Sequence, residues 1–323
     1  MDEFALIRHY FGALTAARSD VVLGIGDDCA LLRPTPGSEL AVTADTLVAG
    51  RHFPVDTAPF DIGWKALAVN LSDLAAMAAS PQWFLLALTL PAADSVWLAA
   101  FAAGLRTLAD QFGVALIGGD TTRGPLSITI TAFGSAPAGT ALRRSGARPG
   151  DLVCVTGTLG DAALGLQLRG AVVVPTEADD DERFLQARLD RPSPRLQGGL
   201  ALRGLASAAI DLSDGLAGDL GHILTASGVG ADLNAALLPM SAAFARVHVP
   251  AQRLQLQAAG GDDYELCCCL PPAQLAAAQT RLDLPLTVIG EINAKPGLRW
   301  HDTRAGAPAP VLHGYRHFYE NDG

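Results

Sequence analysis

Six aspartates carry most of the chemistry this sequence can offer. Asp28 follows the glycine turn Gly24-Ile25-Gly26, and Asp45 closes a strand-like run. Asp73 lies inside an apolar helical stretch, Asp120 follows Gly118-Gly119, and Asp211 and Asp214 stand before Gly215. Taken singly, each has a plain explanation as a turn, cap or hydrogen-bonded residue. Together they are acids from separate elements in a chain with only 17% charged residues. Magnesium takes one or two carboxylates per ion and fills its other positions with water and phosphate oxygens, so scattered aspartates suit several magnesium ions bridging a nucleotide.

Asp73 is the sharpest of the six. Ala66 to Val69, Leu71 and Leu74 to Ala79 leave the stretch Trp64–Pro81 no consistently polar face, which predicts a buried helix stopped by Ser80-Pro81. Asn70 and Asp73 project from one side of it, a turn apart. An ionised carboxylate in an apolar setting is costly unless paired or bound to a cation, so Asp73 is either hydrogen-bonded to a loop or an arginine, or a cation ligand needing partners elsewhere.

Other ions and motifs fit poorly. No D-x-D-x-D-G loop with a terminal Glu is present for calcium, and no His and Cys stand at zinc spacing. The chain has no G-x-x-x-x-G-K-[ST] loop, kinase-type catalytic loop, G-x-S-x-G elbow or G-x-G-x-x-G fingerprint. The net charge of -10 and pI near 5.1 argue against a basic surface for nucleic acid or anionic membrane. Lysine is confined to Lys65 and Lys295, so a bound phosphate must rely on arginine, backbone N–H groups or metal. The N-terminus is acidic where a signal peptide is basic, and no run spans a membrane, which predicts a soluble, cytoplasmic protein.

The elements that must position these acids follow from periodicity. An amphipathic helix is predicted over 3–17, with Phe4, Ile7, Phe11 and Leu14 on one stripe, and strands over 40–46 and 83–90. Thr43 and Asp45 share a strand face, and His52 beyond them is an ordinary loop histidine by spacing alone. A helix over 95–112 ends at Gly113, and a short strand over 114–117 ends in Gly118-Gly119-Asp120-Thr121-Thr122-Arg123, offering metal or phosphate contacts. A half-exposed strand covers 127–133.

At 323 residues, 50% hydrophobic, the chain suits two domains. The Gly-, Pro- and Arg-rich segment Ala136 to Gly150 marks the boundary, giving domains 1–137 and 151–323 with a linker over 138–150. Beyond it come a strand over 151–156, a glycine turn at 157–161 that caps a helix or binds an anion, and an acidic solvated loop over 177–182. A strand ends in Asp211, with Ser213 on its face. A second glycine pair precedes Asp262-Asp263-Tyr264-Glu265 and the run Cys267-Cys268-Cys269, whose alternating faces prevent convergence on one zinc. Val288-Ile289-Gly290 reads as a strand end, and the aromatic, basic tail around Tyr315 as a docked segment.

Six strings in order carry a family resemblance: G-I-G-D-D-C-A-L-L from Gly24, T-A-D-T-L-V-A-G-R-H-F from Thr43, K-A-L-A-V-N-L-S-D-L-A-A-M from Lys65, G-G-D-T-T-R-G from Gly118, I-D-L-S-D-G-L from Ile210 and G-G-D-D-Y-E-L from Gly260. The chain resembles the thiamine-monophosphate kinase family along nearly its whole length, within the group that includes aminoimidazole ribonucleotide synthetase and selenophosphate synthetase. The resemblance implies a two-domain α/β architecture, an N-terminal mixed sheet pairing across a homodimer, and ATP and several magnesium ions in the cleft between domains. It implies ATP-dependent conversion of thiamine monophosphate to thiamine diphosphate, the last step in making that cofactor. By the same resemblance Asp28, Thr43, Ala44, Asp45, Asp73, Asp120, Asp211 and Asp214 form the metal set, with Asp73, Asp120 and Asp211 foremost. Gly119, Asp120, Arg144 and Ser213 face ATP, and His52, Asp262 and Tyr315 face thiamine phosphate. Asp262 departs from the family's usual Glu, and Ala44 from a common Thr. Two other functions share these residues: a synthetase of the same group, told apart by offering thiamine phosphate, and a non-catalytic nucleotide or metal binder, told apart by binding without transfer.

Overall fold

In the computed structural model the described residues are 6–14, 18–169, 179–248, 250–301, 312 and 314. They fall into two units, Met1–Leu74 with Ala79–Ala141, and Ala75–Ala78 with Leu142–Gly323.

The first unit starts helically, though not as one regular α-helix. Ile7–Phe11 forms a wide π-type turn and Gly12–Leu14 a tight 3-10 turn. Leu6, Phe11 and Leu14 are buried, and the irregular turn also carries Tyr10, off the predicted stripe, inward, where its hydroxyl donates to the Ser95 carbonyl at 3.3 Å. Phe4 lies outside the described residues. A short antiparallel ribbon follows, β1 (Val21–Leu23) with β2 (Leu31–Leu32), and its connection carries the Gly24 to Ala30 turn.

Strand β3 (Ser38–Val48) extends the predicted strand at both ends, and helix α1 (Pro59–Ala76) starts earlier than Trp64 because Pro59 is suited to a first turn. Ser80-Pro81 do not stop α1. The chain turns at Ala78, in the left-handed region at φ 53°, with the Ala79 N–H closing back on the Leu74 carbonyl at 2.8 Å, and Ser80 already belongs to β4 (Ser80–Leu90). Helix α2 (Ser95–Phe112) has the predicted limits: Asp94 caps it through the Val96 and Trp97 N–H groups, and Gly113 ends it at φ 63°. The two helices meet at glycines. A Cβ on Gly63 would overlap the Phe101 carbonyl, and one on Gly104 the Phe60 carbonyl.

Strand β5 (Ala115–Arg123) corrects the sequence: Gly118 to Arg123 continue the strand, parallel to β4, rather than looping off its end. A register irregularity at Phe84/Leu85 and the bare backbone of Gly119 allow this, since a Cβ on Gly119 would overlap the Leu86 carbonyl. With β6 (Ser127–Pro137) the sheet order is β3-β6-β4-β5, antiparallel except for β4–β5.

The second unit is a six-stranded sheet of β7 (Leu152–Thr156), β8 (Ala208–Asp211), β9 (Gly230–Asn234), β10 (Leu266–Leu270), β11 (Leu286–Asn293) and β12 (Gly297–His301). Its order is β12-β9-β11-β7-β10-β8, with only β12–β9 parallel. The helices are α3 (Asp161–Arg169), α4 (Asp179–Asp190), α5 (Leu196–Leu202), α6 (Leu216–Ser227), α7 (Ala242–Val247), α8 (Arg253–Ala259) and α9 (Leu275–Arg281). Leu216, Leu220 and Ile223 of α6 pack with Val153, Val155 and Ile210 of the strands in one core. Cys267 and Cys269 point into that core, while Cys268 faces Cys154 across β10 and β7; all are buried free thiols.

Two further expectations are corrected here. Asp179 to Glu182 open α4 instead of forming a solvated loop, because acids are favoured at a helix N-terminus and Asp181 is clamped by Arg246 at 2.6 and 2.7 Å. Residues 177 and 178 lie outside the described residues. Gly290 does not end a strand: β11 runs on to Asn293, and the register shift at Val288/Gly290 uses a glycine because a Cβ there would overlap the Asp232 carbonyl. Among the described residues, no helix is long and apolar enough to cross a membrane.

Candidate functional site

In the first unit the sheet and α1 bring Thr43 and Asp73 together. Thr43, Ala44 and Asp45 are consecutive on β3; period-two alternation leaves Thr43 and Asp45 half-buried on one face and Ala44 exposed on the other. The Thr43 hydroxyl donates to Asp73 Oδ2 at 2.5 Å. Asn70, one turn back on α1, is fully buried; its Nδ2 donates to the Ala66 carbonyl at 3.1 Å and its Oδ1 has no partner among the described residues. Thr43 and Asp73 thus set oxygen donors side by side where β3 meets α1.

A second group lies on a cavity of about 950 Å³ within this unit. Asp28, Gly119 and Asp120 line it, with Phe11, Leu86 and Phe133 forming an apolar wall. Asp28 is exposed in its turn, which the Asp28 N–H tightens by donating to Asp27 Oδ1 at 2.8 Å. His52 sits in the turn after β3, half-buried, with its Nδ1 accepting the Val48 N–H at 3.0 Å, so a neutral ring carries its proton on Nε2.

In the second unit β8 delivers Asp211, 4% exposed, and the next residues turn through Ser213, Asp214 and Gly215 into α6. Asp219, from the first turn of α6, is 3% exposed and reaches back, its Oδ2 accepting the Asp214 and Gly215 N–H groups at 3.1 Å each. Burial pushes the Asp219 carboxyl up to about 8, and the Asp211 and Asp214 carboxylates push it the same way. Repulsion of this kind is what a divalent cation relieves. Sequence inspection passed over Asp219; the signal was an acid placed to satisfy N–H groups at the start of its own helix.

The loop carrying Asp262 is laced to that turn. Asp262 and Tyr264 hold left-handed backbone at φ 68° and 50°; the Asp262 N–H donates to the Ser213 carbonyl at 2.9 Å and the Tyr264 N–H to the Leu212 carbonyl at 2.8 Å. Such strain in non-glycine residues persists where surroundings enforce it. A buried ionic cluster follows directly in the chain. Glu265, fully buried, accepts Arg195 Nε and Nη2 at 2.8 and 2.5 Å, Arg188 Nη2 at 2.9 Å and the Thr156 hydroxyl at 2.8 Å. Asp263 Oδ2 takes the Gly160 N–H at 2.8 Å, so an internal carboxylate fills the glycine turn that could have bound an anion. Arg144 is exposed, and its carbonyl accepts the Ser227 hydroxyl at 3.3 Å. Tyr315 lies outside the described residues.

Among the described residues, no three His, Cys, Asp or Glu side chains converge closely enough to hold an ion unaided. That is compatible with magnesium, which needs one or two carboxylates per ion, and all-oxygen donors suit it.

Two family models match the chain: the AIR synthase related protein N-terminal domain over residues 26–136, and the C-terminal domain of the same family over 148–302. A thiamine-monophosphate kinase of Escherichia coli (strain K12) is 50% identical over 321 residues, 98% of each chain. The crystal structure of a thiamine-monophosphate kinase from Stenotrophomonas maltophilia K279a is 51% identical, covering 93% of this chain and 96% of its own at a TM-score of 0.86. A structure of AaThiL complexed with AMPPCP and TMP is 30% identical, covering 91% and 92% at a TM-score of 0.76.

Proposed function

The chain belongs to the AIR synthase related family and, within it, to the thiamine-monophosphate kinases, and on that premise we propose that it transfers the γ-phosphoryl group of ATP to the phosphate of thiamine monophosphate. The products are thiamine diphosphate and ADP. The observation that carries this is the cavity of the first unit, where Asp28, Asp120 and the bare backbone of Gly119 stand against an apolar wall, an arrangement suited to a metal-bound nucleotide with its base on the apolar side.

A phosphate monoester is already anionic near neutral pH, its second pKa being about 6, so the attacking oxygen needs no base. The task is to hold two repelling anions in line. Asp28, Thr43, the Ala44 carbonyl, Asp45, Asp73, Asp120, Asp211 and Asp214 would hold magnesium. When bound, the ions supply the positive charge that a chain with two lysines lacks. Gly119, Asp120, Arg144 and Ser213 orient ATP. His52, Asp262 and Tyr315 receive thiamine phosphate, His52 offering an Nε2 fixed by its turn.

The working form is a homodimer in the cytoplasm. Support comes from β3, an edge strand of the sheet, which exposes Leu40 (47%), Val42 (55%) and Val48 (38%), an apolar row that an isolated edge does not leave in water. The reaction is tested by incubating the protein with ATP, magnesium and thiamine monophosphate and separating the products by chromatography. Thiamine diphosphate and ADP in equal amounts are expected; ADP without thiamine diphosphate would contradict the assignment.

A further inference from the structure

We propose that Asp219 is a positioning residue for the metal-binding turn: by accepting the backbone N–H groups of Asp214 and Gly215 it fixes the conformation in which Asp211 and Asp214 are presented. The inference rests on the magnesium role given to those two aspartates above. Helix α6 receives no side-chain cap from Gly215, the residue before it, which sits at φ 106°. The Asp214 and Gly215 N–H groups, just ahead of the helix, instead donate to the Asp219 carboxyl, which reaches back to them from the helix's first turn. The turn has little other freedom. A Cβ on Gly215 would crowd Ala259 and the Gly260 carbonyl at 2.9 Å, and one on Gly261 would crowd the Ser213 carbonyl at 2.5 Å, so the Asp262 loop packs directly on the turn's backbone.

Both N–H bonds go to the same oxygen, Oδ2. An amide oxygen in that place can accept both, so Asp219→Asn keeps the device and Asp219→Ala removes it. The role is therefore separable from any need for charge at this position.

The test titrates Mn2+ into wild type, D219A and D219N by calorimetry in the presence of a non-hydrolysable ATP analogue. It is paired with thermal melts and with ATP turnover against magnesium concentration. D219A is expected to weaken Mn2+ binding, and to raise the half-saturating magnesium concentration, by about ten- to a hundredfold, the range seen when groups that orient metal ligands are lost. KM for thiamine monophosphate at saturating magnesium should stay near wild type, and D219N should rescue both readouts. Wild-type Mn2+ affinity in a folded D219A would overturn the inference. So would a folded D219N that binds Mn2+ as weakly as D219A, and, should D219A fail to fold, a D219N with weakened Mn2+ binding. A wild type that binds Mn2+ with the analogue yet makes no thiamine diphosphate would overturn the kinase assignment instead, and the titration would still decide Asp219.

Discussion

The Thr43 hydroxyl donates to the Asp73 carboxylate at 2.5 Å, tying the middle of strand β3 to the helix beside it. The bond fixes the direction of a half-buried carboxylate carried by a largely apolar helix. Asp73→Asn preserves shape and the acceptor for Thr43 but removes the charge, so turnover should fall by about a hundredfold or more while the melting temperature holds. Thr43→Val, which removes only the donor, should cost about tenfold, a loss partly recovered at high magnesium. Steady-state rates across a magnesium series check both.

Gly119 of β5 lies against the Leu86 carbonyl of β4. Alanine there would drive its methyl into the Leu86 carbonyl, and the strands would have to part. Gly119→Ala should lower unfolding free energy by about 1–3 kcal/mol, the usual cost of overpacking. It should also weaken ATP binding, because the displaced backbone lines the cavity. Urea unfolding and nucleotide titration measure the two effects separately.

Glu265 accepts from both Arg188 and Arg195 in the second unit. Truncating it takes the shared carboxylate from two largely buried guanidinium groups, leaving Arg188 the Asp263 carbonyl at 3.4 Å and Asp161 Oδ2 at 3.6 Å. Glu265→Ala should cost roughly 3–5 kcal/mol, as for other buried ion pairs broken on one side, and denaturant titration gives the value.

Arg18 grips Asp20 through two hydrogen bonds of 2.8 and 2.6 Å and holds its carboxyl below the ordinary value. A carboxylate whose pKa is lower in the folded state stabilises the fold above its unfolded pKa, near 3.9, and loses that contribution as pH falls through the depressed value. Arg18→Gln should therefore reduce stability at pH 6 and flatten the acid limb. The effect should be under about 1 kcal/mol because both groups are partly exposed. Equilibrium unfolding repeated between pH 6 and pH 3 checks the sign.

Much of this architecture could be read from the residues. Helix α2 has its predicted limits because cap and stop are local: Asp94 and Gly113 need no tertiary information. Thr43 and Asp45 share a face because strand period is local too. What escaped depended on distant partners. Gly118 to Arg123 read as a loop because glycine pairs usually leave a strand, whereas parallel pairing with β4 keeps them in the sheet. Asp179 to Glu182 read as a solvated loop because Arg246, the partner of Asp181, is far along the chain. Ser80-Pro81 read as a stop because the left-handed turn at Ala78, an alanine, has no sequence signature. Asp219 was hidden for the opposite reason. Its bonds are local, but an acid inside a helix start looks like routine charge complementarity until the backbone it holds is seen.

The assigned reaction requires that phosphate, not hydroxyl, accept the phosphoryl group, under control of a divalent ion. The most direct measurement offers the enzyme thiamine and thiamine monophosphate in parallel with ATP and magnesium, with and without excess EDTA, and follows the products by chromatography. Conversion of the monophosphate to the diphosphate, abolished by EDTA and absent with free thiamine, is predicted. Phosphorylation of free thiamine at a comparable rate, or undiminished conversion in EDTA, would contradict it.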